Sequence, residues 1–360
     1  MNSKLQLINK FFKTLRDEGF EKTIHKTNNY IFNDIFIYII INKINIHPQH
    51  SKKISLLRRL FPITWIARKR AYNFVHKPLS KTQEIGEDLV LLHKKQDKFL
   101  ESDKVVILAH WDPQNKIDAY VKNMCLHFKN IGKKVIISSA NHIDCLSDIK
   151  EYADAALYRK CPGYDFTSWK AAFTAIPSLF ECEEVTICND SVFAPVGSYA
   201  PVYESMRKVN CDFWGMTFSR QIVPHLQSFH VVFRKKALRH PALKQFFEAV
   251  PCATDRENAI GFEIRLALWL ELNGLQAGAF LILPWYTSQI NPSINLYKKL
   301  LQWGCPLIKR QIIMEKNITK EYQNILKILT AKGYKTELID NYLERTKLTC
   351  GSLRKEQPDA

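Results

Sequence analysis

The sequence predicts an α/β fold: a single Rossmann-like mixed sheet with helical additions at both ends. Three observations carry this. Short, wholly apolar runs rich in β-branched residues recur at 104–109 (KVVILA), 134–138 (KVIIS) and 185–188 (VTIC). The stretches between them repeat apolar residues at helical spacing. After residue 210 the strand-like runs follow one another with little helix between. Wholly apolar short runs suit strands covered on both faces. Strand–helix–strand alternation feeds right-handed parallel crossovers.

Element by element, Lys104–Ala109 is the first strand of the core. Ile117, Tyr120, Val121, Met124, Phe128 and Ile131 then share one helical face, with Asn115 expected to cap its start and Gly132 its end. Lys134–Ser138 is the second strand and Ala155–Tyr158 a short third. Asp165 is expected to cap a helix whose Phe166, Trp169, Phe173 and Ile176 line one side. Val185–Cys188 is the fourth strand. Phe213–Ser219 and Phe229–Phe233 read as an antiparallel addition, and 257–272 as an apolar helix interrupted by Glu263 and Arg265. Helices dominate to about residue 346, and the last dozen residues are polar. The chain divides on this reading into a basic region (1–100), an α/β core (101–290) and a helical extension (291–360). No internal repeat or low-complexity tract is present.

With 52 Lys and Arg against 35 Asp and Glu, the net charge is +17. The first hundred residues carry 19 of those cations and only 8 acids. Such a block favours an anionic partner: lipid, nucleic acid or a phosphorylated ligand. Within it, 52–70 (KKISLLRRLFPITWIARKR) mixes apolar and cationic residues in a manner suited to an anionic membrane surface, or to a helix packed on the core with a solvated face. The apolar stretch 31–41 is broken by Asn33 and Asp34 and is too short to span a bilayer. Nine scattered cysteines without a C-x-x-C pair or a leader ahead of them read as reduced cytoplasmic thiols.

In open α/β sheets ligands bind beyond the carboxyl ends of the strands. The residues there are His110 and Asp112 after the first strand, Gly163 and Asp165 after the third, and Asn189, Asp190 and Ser191 after the fourth. A carboxylate at Asp190 can hold a divalent cation against a diphosphate; Asn, Asp and Ser also simply favour turns. Gly163 permits close backbone approach, and the helix start behind it suits an anion; a plain capped helix fits as well. His225 and Gln227 precede the 229–233 strand, where the histidine can serve a metal, a phosphate or the core. Glu263, in its apolar helix, can be tuned as a general base or can pair with an arginine. There is no Walker loop, G-x-G-x-x-G, G-x-S-x-G or zinc spacing.

Five segments in register carry a resemblance: GYDFTSWKAAF at 163–173, EEVTICNDSVFAPVGS at 183–198, DFWGMTFSR at 212–220, HLQSFHVVFRKKAL at 225–238 and PLIKRQI at 306–312. The chain resembles the rhamnan synthesis protein F family over about 104–315. The resemblance implies a GT-A-like glycosyltransferase that moves a sugar, rhamnose by the family's name, from a nucleotide-sugar onto a lipid-linked or growing surface polysaccharide. It implies that Asp190 meets the donor phosphates or their Mn²⁺ or Mg²⁺, although Asn189 and Ser191 replace the outer carboxylate of a D-x-D and leave metal use open. Asp165, His225 and Glu263 would finish the site, with Glu263 as base. It implies a peripheral place at the inner face of a bacterial membrane. Nucleic acid is not an expected partner, because the strand-end cluster lies in the less basic part of the chain. The alternatives are a non-catalytic assembly protein that keeps the fold, and a basic nucleic-acid-binding protein.

Overall fold

The computed structural model describes residues 85, 88–95, 98–141, 146–219, 225–252, 256–282, 291–317 and 319–353. The 31–41 and 52–70 stretches and the last seven residues lie outside them.

The described chain opens with β1 (Leu89–Lys94) and β2 (Lys104–His110), then α1 (Ala119–Asn130), β3 (Lys134–Ser139), α2 (Leu146–Tyr152) and β4 (Ala155–Arg159). Next come α3 (Asp165–Ala175), a 3₁₀ turn at Pro177–Glu181, β5 (Glu184–Asn189), β6 (Val192–Phe193), α4 (Ala200–Arg207) and β7 (Phe213–Ser219). They are followed by β8 (His225–Leu226), β9 (His230–Arg234), α5 (Lys235–Leu238), α6 (Pro241–Glu248), α7 (Arg256–Leu272) and β10 (Ala277–Ile282). The chain closes with α8 (Pro292–Asn295), α9 (Tyr297–Gln302), β11 (Ile308–Lys309), α10 (Arg310–Lys316), α11 (Lys320–Ala331) and α12 (Glu337–Leu353).

Nine strands form one mixed sheet in the order β1-β4-β3-β2-β5-β9-β7-β10, with β8 paired to β7, and β6 and β11 form a separate two-stranded ladder. This is the expected α/β class with a single mixed sheet. The pairs β4–β3, β3–β2, β2–β5 and β7–β10 are parallel, while β1 and β9 run the other way. Carboxyl ends of β2, β3, β4, β5, β7 and β10 therefore share one edge, and the start of β9 joins them there. From β2 the chain returns to β3 and from β5 it passes to the β9–β7 side, so the strand order reverses between β2 and β5 at that edge, the place where open α/β sheets bind ligands.

Alternation along the strands divides the core in two, because successive side chains face opposite sides of a sheet. Val106, Leu108, Val135 and Ile137 pack under α1 and the carboxy-terminal helices. Val105, Ile107, Ile136, Val185 and Ile187 pack under α3, α6 and α7. Trp169 on α3 is fully buried, and its indole N–H donates to the Cys188 carbonyl, 3.0 Å. Each such side chain contributes about 1.5–3 kcal/mol through burial.

Two helix starts differ from expectation. Helix α1 begins at Ala119, not at Asn115. Asp112 Oδ1 accepts from the backbone N–H groups of Gln114 and Lys116, so the chain first winds through a turn in which Asn115 has φ 58°. Asp165 is the first residue of α3 rather than its cap; its carboxylate turns to Asn189 instead. Strands β1 and β10 went unread. The first (LVLLHK) is a short apolar run between polar flanks inside the basic region, and the second (AGAFLI) is short of β-branched residues. Among the described residues no helix is long and apolar enough to cross a membrane.

Candidate functional site

The ends of β2 and β5 are bridged by two hydrogen bonds. The Asp190 N–H donates to the Ala109 carbonyl, 3.2 Å, and the Trp111 N–H donates to Asp190 Oδ2, 3.1 Å. The β2 and β5 ends are thus tied by the one aspartate expected to meet donor phosphates. Asp190 is buried, and its carbonyl accepts from the Tyr120 hydroxyl, 2.9 Å.

Asn189 links this point to α3. Its amide Nδ2 donates to Asp165 Oδ2, 2.6 Å, and its Oδ1 accepts from the Ser191 hydroxyl, 2.6 Å, and the Ser191 N–H, 3.3 Å. Burial, reinforced by the charges of Asp190 and Glu263, raises the Asp165 carboxyl to a pKa of about 6, against the Asn189 hydrogen bond and Lys309.

Glu263 reaches the same region from α7. Its Oε1 accepts from the Ser228 N–H, 2.7 Å, and hydroxyl, 3.0 Å. Ser228 precedes β9, whose antiparallel direction brings its start to the carboxyl edge beside Cys188.

Two cations complete the cluster. Strand β6 follows Ser191 directly and pairs antiparallel with β11, Lys309 opposite Val192. Lys309 Nζ donates to the Ser191 hydroxyl, 3.0 Å, and sits 4.5 Å from the Phe229 ring centre. Burial pulls the Lys309 ammonium down, while Glu263, Asp165 and Asp190 sustain its charge. The Arg310 N–H donates to the Ser191 carbonyl, 2.8 Å, and its guanidinium to the Tyr120 hydroxyl, 2.8 Å. Burial opposes the Arg310 charge, but Tyr120 and Asp190 outweigh it and raise the group above its ordinary value. A shallow hollow lies beside this cluster's chain neighbours, lined by Tyr164, Phe166, Thr167, Val250, Pro251, Ala259 and Phe262; none of Asp165, Asp190, Glu263, Lys309 and Arg310 lines it.

Of the residues read from sequence, Asp165, Asn189, Asp190, Ser191 and Glu263 come together. His110 is buried behind them, its Nδ1 at 3.0 Å from the Ser139 hydroxyl and its Nε2 at 3.1 Å from the Lys116 carbonyl. Asp112 is spent on Arg345 of α12, Oδ2 to NH2 2.5 Å. Gly163 has φ 144°, and a Cβ there would stand 2.2 Å from Thr167 Oγ1, so it serves helix packing. His225 is buried in β8 opposite Ser219. Gln227 bonds to Thr217, Asn291 and Ser293 and anchors the α8 segment. Lys309, Arg310 and Ser228 were not read as site residues. Only their position inside two family-like segments, HLQSFHVVFRKKAL and PLIKRQI, pointed toward them.

One oxygen of each carboxylate is already committed to donors of the chain. The Asp165 carboxylate is bonded to an amide, Asp190 Oδ2 and Glu263 Oε1 hold N–H and O–H donors, and an ammonium occupies the Ser191 hydroxyl. Among the described residues no three His, Cys, Asp or Glu side chains stand together as ligands.

Residues 135–353, more than half of the chain, match the profile of rhamnan synthesis protein F. The chain belongs to the rhamnan synthesis protein F family. The match runs through α12, beyond the 104–315 that the five segments delimit. The virulence protein VirA of Vibrio anguillarum (strain ATCC 68554 / 775) is 24% identical over 203 residues, 47% of this chain and 65% of that protein. The chain thus spans just under two thirds of the length of this curated relative. Among solved structures, a protein assigned as a nucleotide-diphospho-sugar transferase from Desulfovibrio desulfuricans G20 aligns with TM-score 0.34 and 13% identity, over 51% of this chain and 80% of its own. The mannosyltransferase Ktr4p from S. cerevisiae, solved with GDP, aligns with TM-score 0.29 and 10% identity, over 60% and 83%. At TM-scores this low they carry no argument about function.

Proposed function

We propose that this family member is a glycosyltransferase that moves a sugar from a nucleoside-diphospho-sugar onto a hydroxyl of a bacterial surface polysaccharide or its lipid-linked precursor. One observation carries the reading: carboxylates Asp165, Asp190 and Glu263 and cations Lys309 and Arg310 gather around the end of β5 at the carboxyl edge of the sheet. Family membership supports the polysaccharide context.

In the proposed reaction the acceptor hydroxyl gives its proton to a carboxylate. The acceptor oxygen bonds to the anomeric carbon, and the bond from that carbon to the phosphate oxygen breaks with its electron pair leaving on the nucleoside diphosphate. A base works best with a pKa near the working pH. Asp165, at about 6, meets that condition. Glu263, held by Ser228, is the second carboxylate and acts on the charge of Lys309. Rhamnose as the transferred sugar follows the family's name alone.

A thermal-shift screen of nucleotide-sugars tests the reading, since a ligand that binds the native state raises apparent stability. A shift with one donor class and transfer or hydrolysis of that donor are expected; no shift and no turnover with any donor would overturn it. The second reading, a non-catalytic assembly protein, draws on Asn189 standing where a D-x-D has a carboxylate and being spent on Asp165 and Ser191. It predicts binding without turnover.

The basic amino-terminal stretch is proposed to hold the site near a lipid-linked acceptor. Greater sedimentation with anionic than with neutral vesicles is the expected result.

A further inference from the structure

The cluster contains three carboxylates, and a diphosphate brought beside them adds more negative charge. Binding such a ligand requires positive charge at the same place. The usual source at such a strand end is a divalent cation held by several side-chain oxygens; here one oxygen each of Asp165, Asp190 and Glu263 already accepts an N–H or O–H, and among the described residues no three His, Cys, Asp or Glu side chains stand together to hold one. The positive charge present belongs to the chain. Lys309 Nζ lies on Ser191 Oγ, at the third position of the Asn189-Asp190-Ser191 turn. Arg310 stands next to it, tied through its N–H to Ser191 and through its guanidinium to Tyr120.

We propose that Lys309 and Arg310 are the built-in counter-ions of this site, binding the donor's diphosphate directly so that donor binding needs no divalent metal. The inference rests on the glycosyltransferase reading, because it assumes a diphosphate ligand.

The fold supports the assignment in three ways. The two-stranded β6–β11 ladder, whose Val192, Phe193 and Ile308 also pack in the core, fixes residues 308–310 against the end of β5. Two β6 residues emerge straight from the turn that carries Asp190, so the register of that ladder sets Lys309 beside Ser191 without an intervening loop. The cations are also positioned in advance. Phe229 lies under the Lys309 ammonium at 4.5 Å, and Tyr342 of α12 lies 5.4 Å from the Arg310 guanidinium carbon. Aromatic faces hold a cation in place without occupying its N–H donors, while the nearby carboxylates keep Lys309 charged. Finally, among the described residues donor capacity remains. An ammonium has three N–H donors and a guanidinium five, while Ser191 and Tyr120 account for one of each. Lysine supplies a compact charge and arginine a planar fork, a combination suited to the oxygens of two linked phosphates.

Titration calorimetry of the full chain with UDP, GDP and dTDP, in EDTA and again with Mn²⁺ or Mg²⁺, tests this. The expected result is that the nucleoside diphosphate that binds does so within about twofold of the same affinity in both conditions. Lys309→Met should weaken it about 10- to 100-fold, the loss of one charge-assisted hydrogen bond. Lys309→Arg, which keeps the charge, should recover most of the affinity, and circular dichroism of both variants guards against misfolding. Arg310→Gln provides a second variant should Lys309→Met fold poorly, and the same direction is expected. Binding seen only with metal, or wild-type affinity in folded Lys309→Met and Arg310→Gln, overturns the inference and leaves the glycosyltransferase reading standing. Failure of every nucleoside diphosphate to bind, with and without metal, overturns both.

Discussion

Lys309 donates a hydrogen bond to the Ser191 hydroxyl, 3.0 Å away, across 118 positions of the chain. That contact joins the turn after β5 to the strand β11 and brings a positive charge to a cluster otherwise made of carboxylates. It also explains why the site spans the α/β core and the carboxy-terminal segment: Asp190 comes from one and its counter-charge from the other.

Asp190 is the first residue to test by mutation. Asp190→Asn keeps an oxygen for the Trp111 N–H and removes the charge beside Arg310 and Asp165. Transfer of sugar should fall about 100-fold, the order expected when one electrostatic contact to a transition state is lost. The melting temperature should move little. Turnover at the wild-type rate by the folded variant removes Asp190 from the mechanism.

Asp165 makes stability depend on pH with a definite sign. Its folded pKa of about 6 lies above the ordinary 3.8, so the folded state holds the proton more tightly than the unfolded chain does. The stabilisation is complete below about pH 3.8 and is lost as pH rises through 6. Asp165→Asn, which cannot ionise, should therefore gain on the wild type by about 1–3 kcal/mol in urea melts at pH 7.5 relative to pH 4.5. An unchanged difference between the two pH values would show that the carboxyl is not raised. Loss of transfer in the same variant would place it in the chemistry.

Arg345 is a structural clasp. Its guanidinium bridges Asp112 and Asp118, 2.5 Å to each, and donates to Gln114 Oε1, 2.8 Å. Burial works against the Asp112 charge, but Arg345 and the Lys116 and Gln114 N–H groups hold its pKa below the ordinary value. Arg345→Met should cost about 1–3 kcal/mol at pH 7, because two partly buried carboxylates lose their partner. Since a lowered carboxyl stabilises above its unfolded pKa and loses that stabilisation in acid, the gap from wild type should narrow as pH falls below 3.8. Chemical denaturation across pH reads both.

Gly163 is expected to be a packing residue. Gly163→Ala combines positive φ with a Cβ 2.2 Å from Thr167 Oγ1 and should destabilise the fold by about 1–3 kcal/mol or more. Nucleotide affinity of the folded fraction should stay at the wild-type level. A selective loss of affinity with unchanged stability would instead put Gly163 against the ligand.

The α/β class and the order of its central strands follow from local patterns. KVVILA, KVIIS and VTIC are apolar at most positions, with buried residues facing both sides, because each strand is covered on both faces, and that signal lies within a few consecutive residues. The ends of those strands are equally local, which is why Asp165, Asn189, Asp190 and Ser191 were legible as a group. The same rule over-collected. His110, Asp112 and Gly163 also follow strands, yet their partners Ser139, Arg345 and Thr167 are fixed only by packing.

By itself, then, the sequence determined the alternation of strands and helices, the edge at which polar turns gather, and the likeness to a polysaccharide-assembly family. Tertiary structure decided which of those polar residues meet. Period and composition act over a few residues, whereas the meeting of Lys309 with Ser191 and of Glu263 with Ser228 depends on the direction of β9 and the register of a two-residue ladder. Those are properties of strands paired in space, and no run of neighbouring residues encodes them.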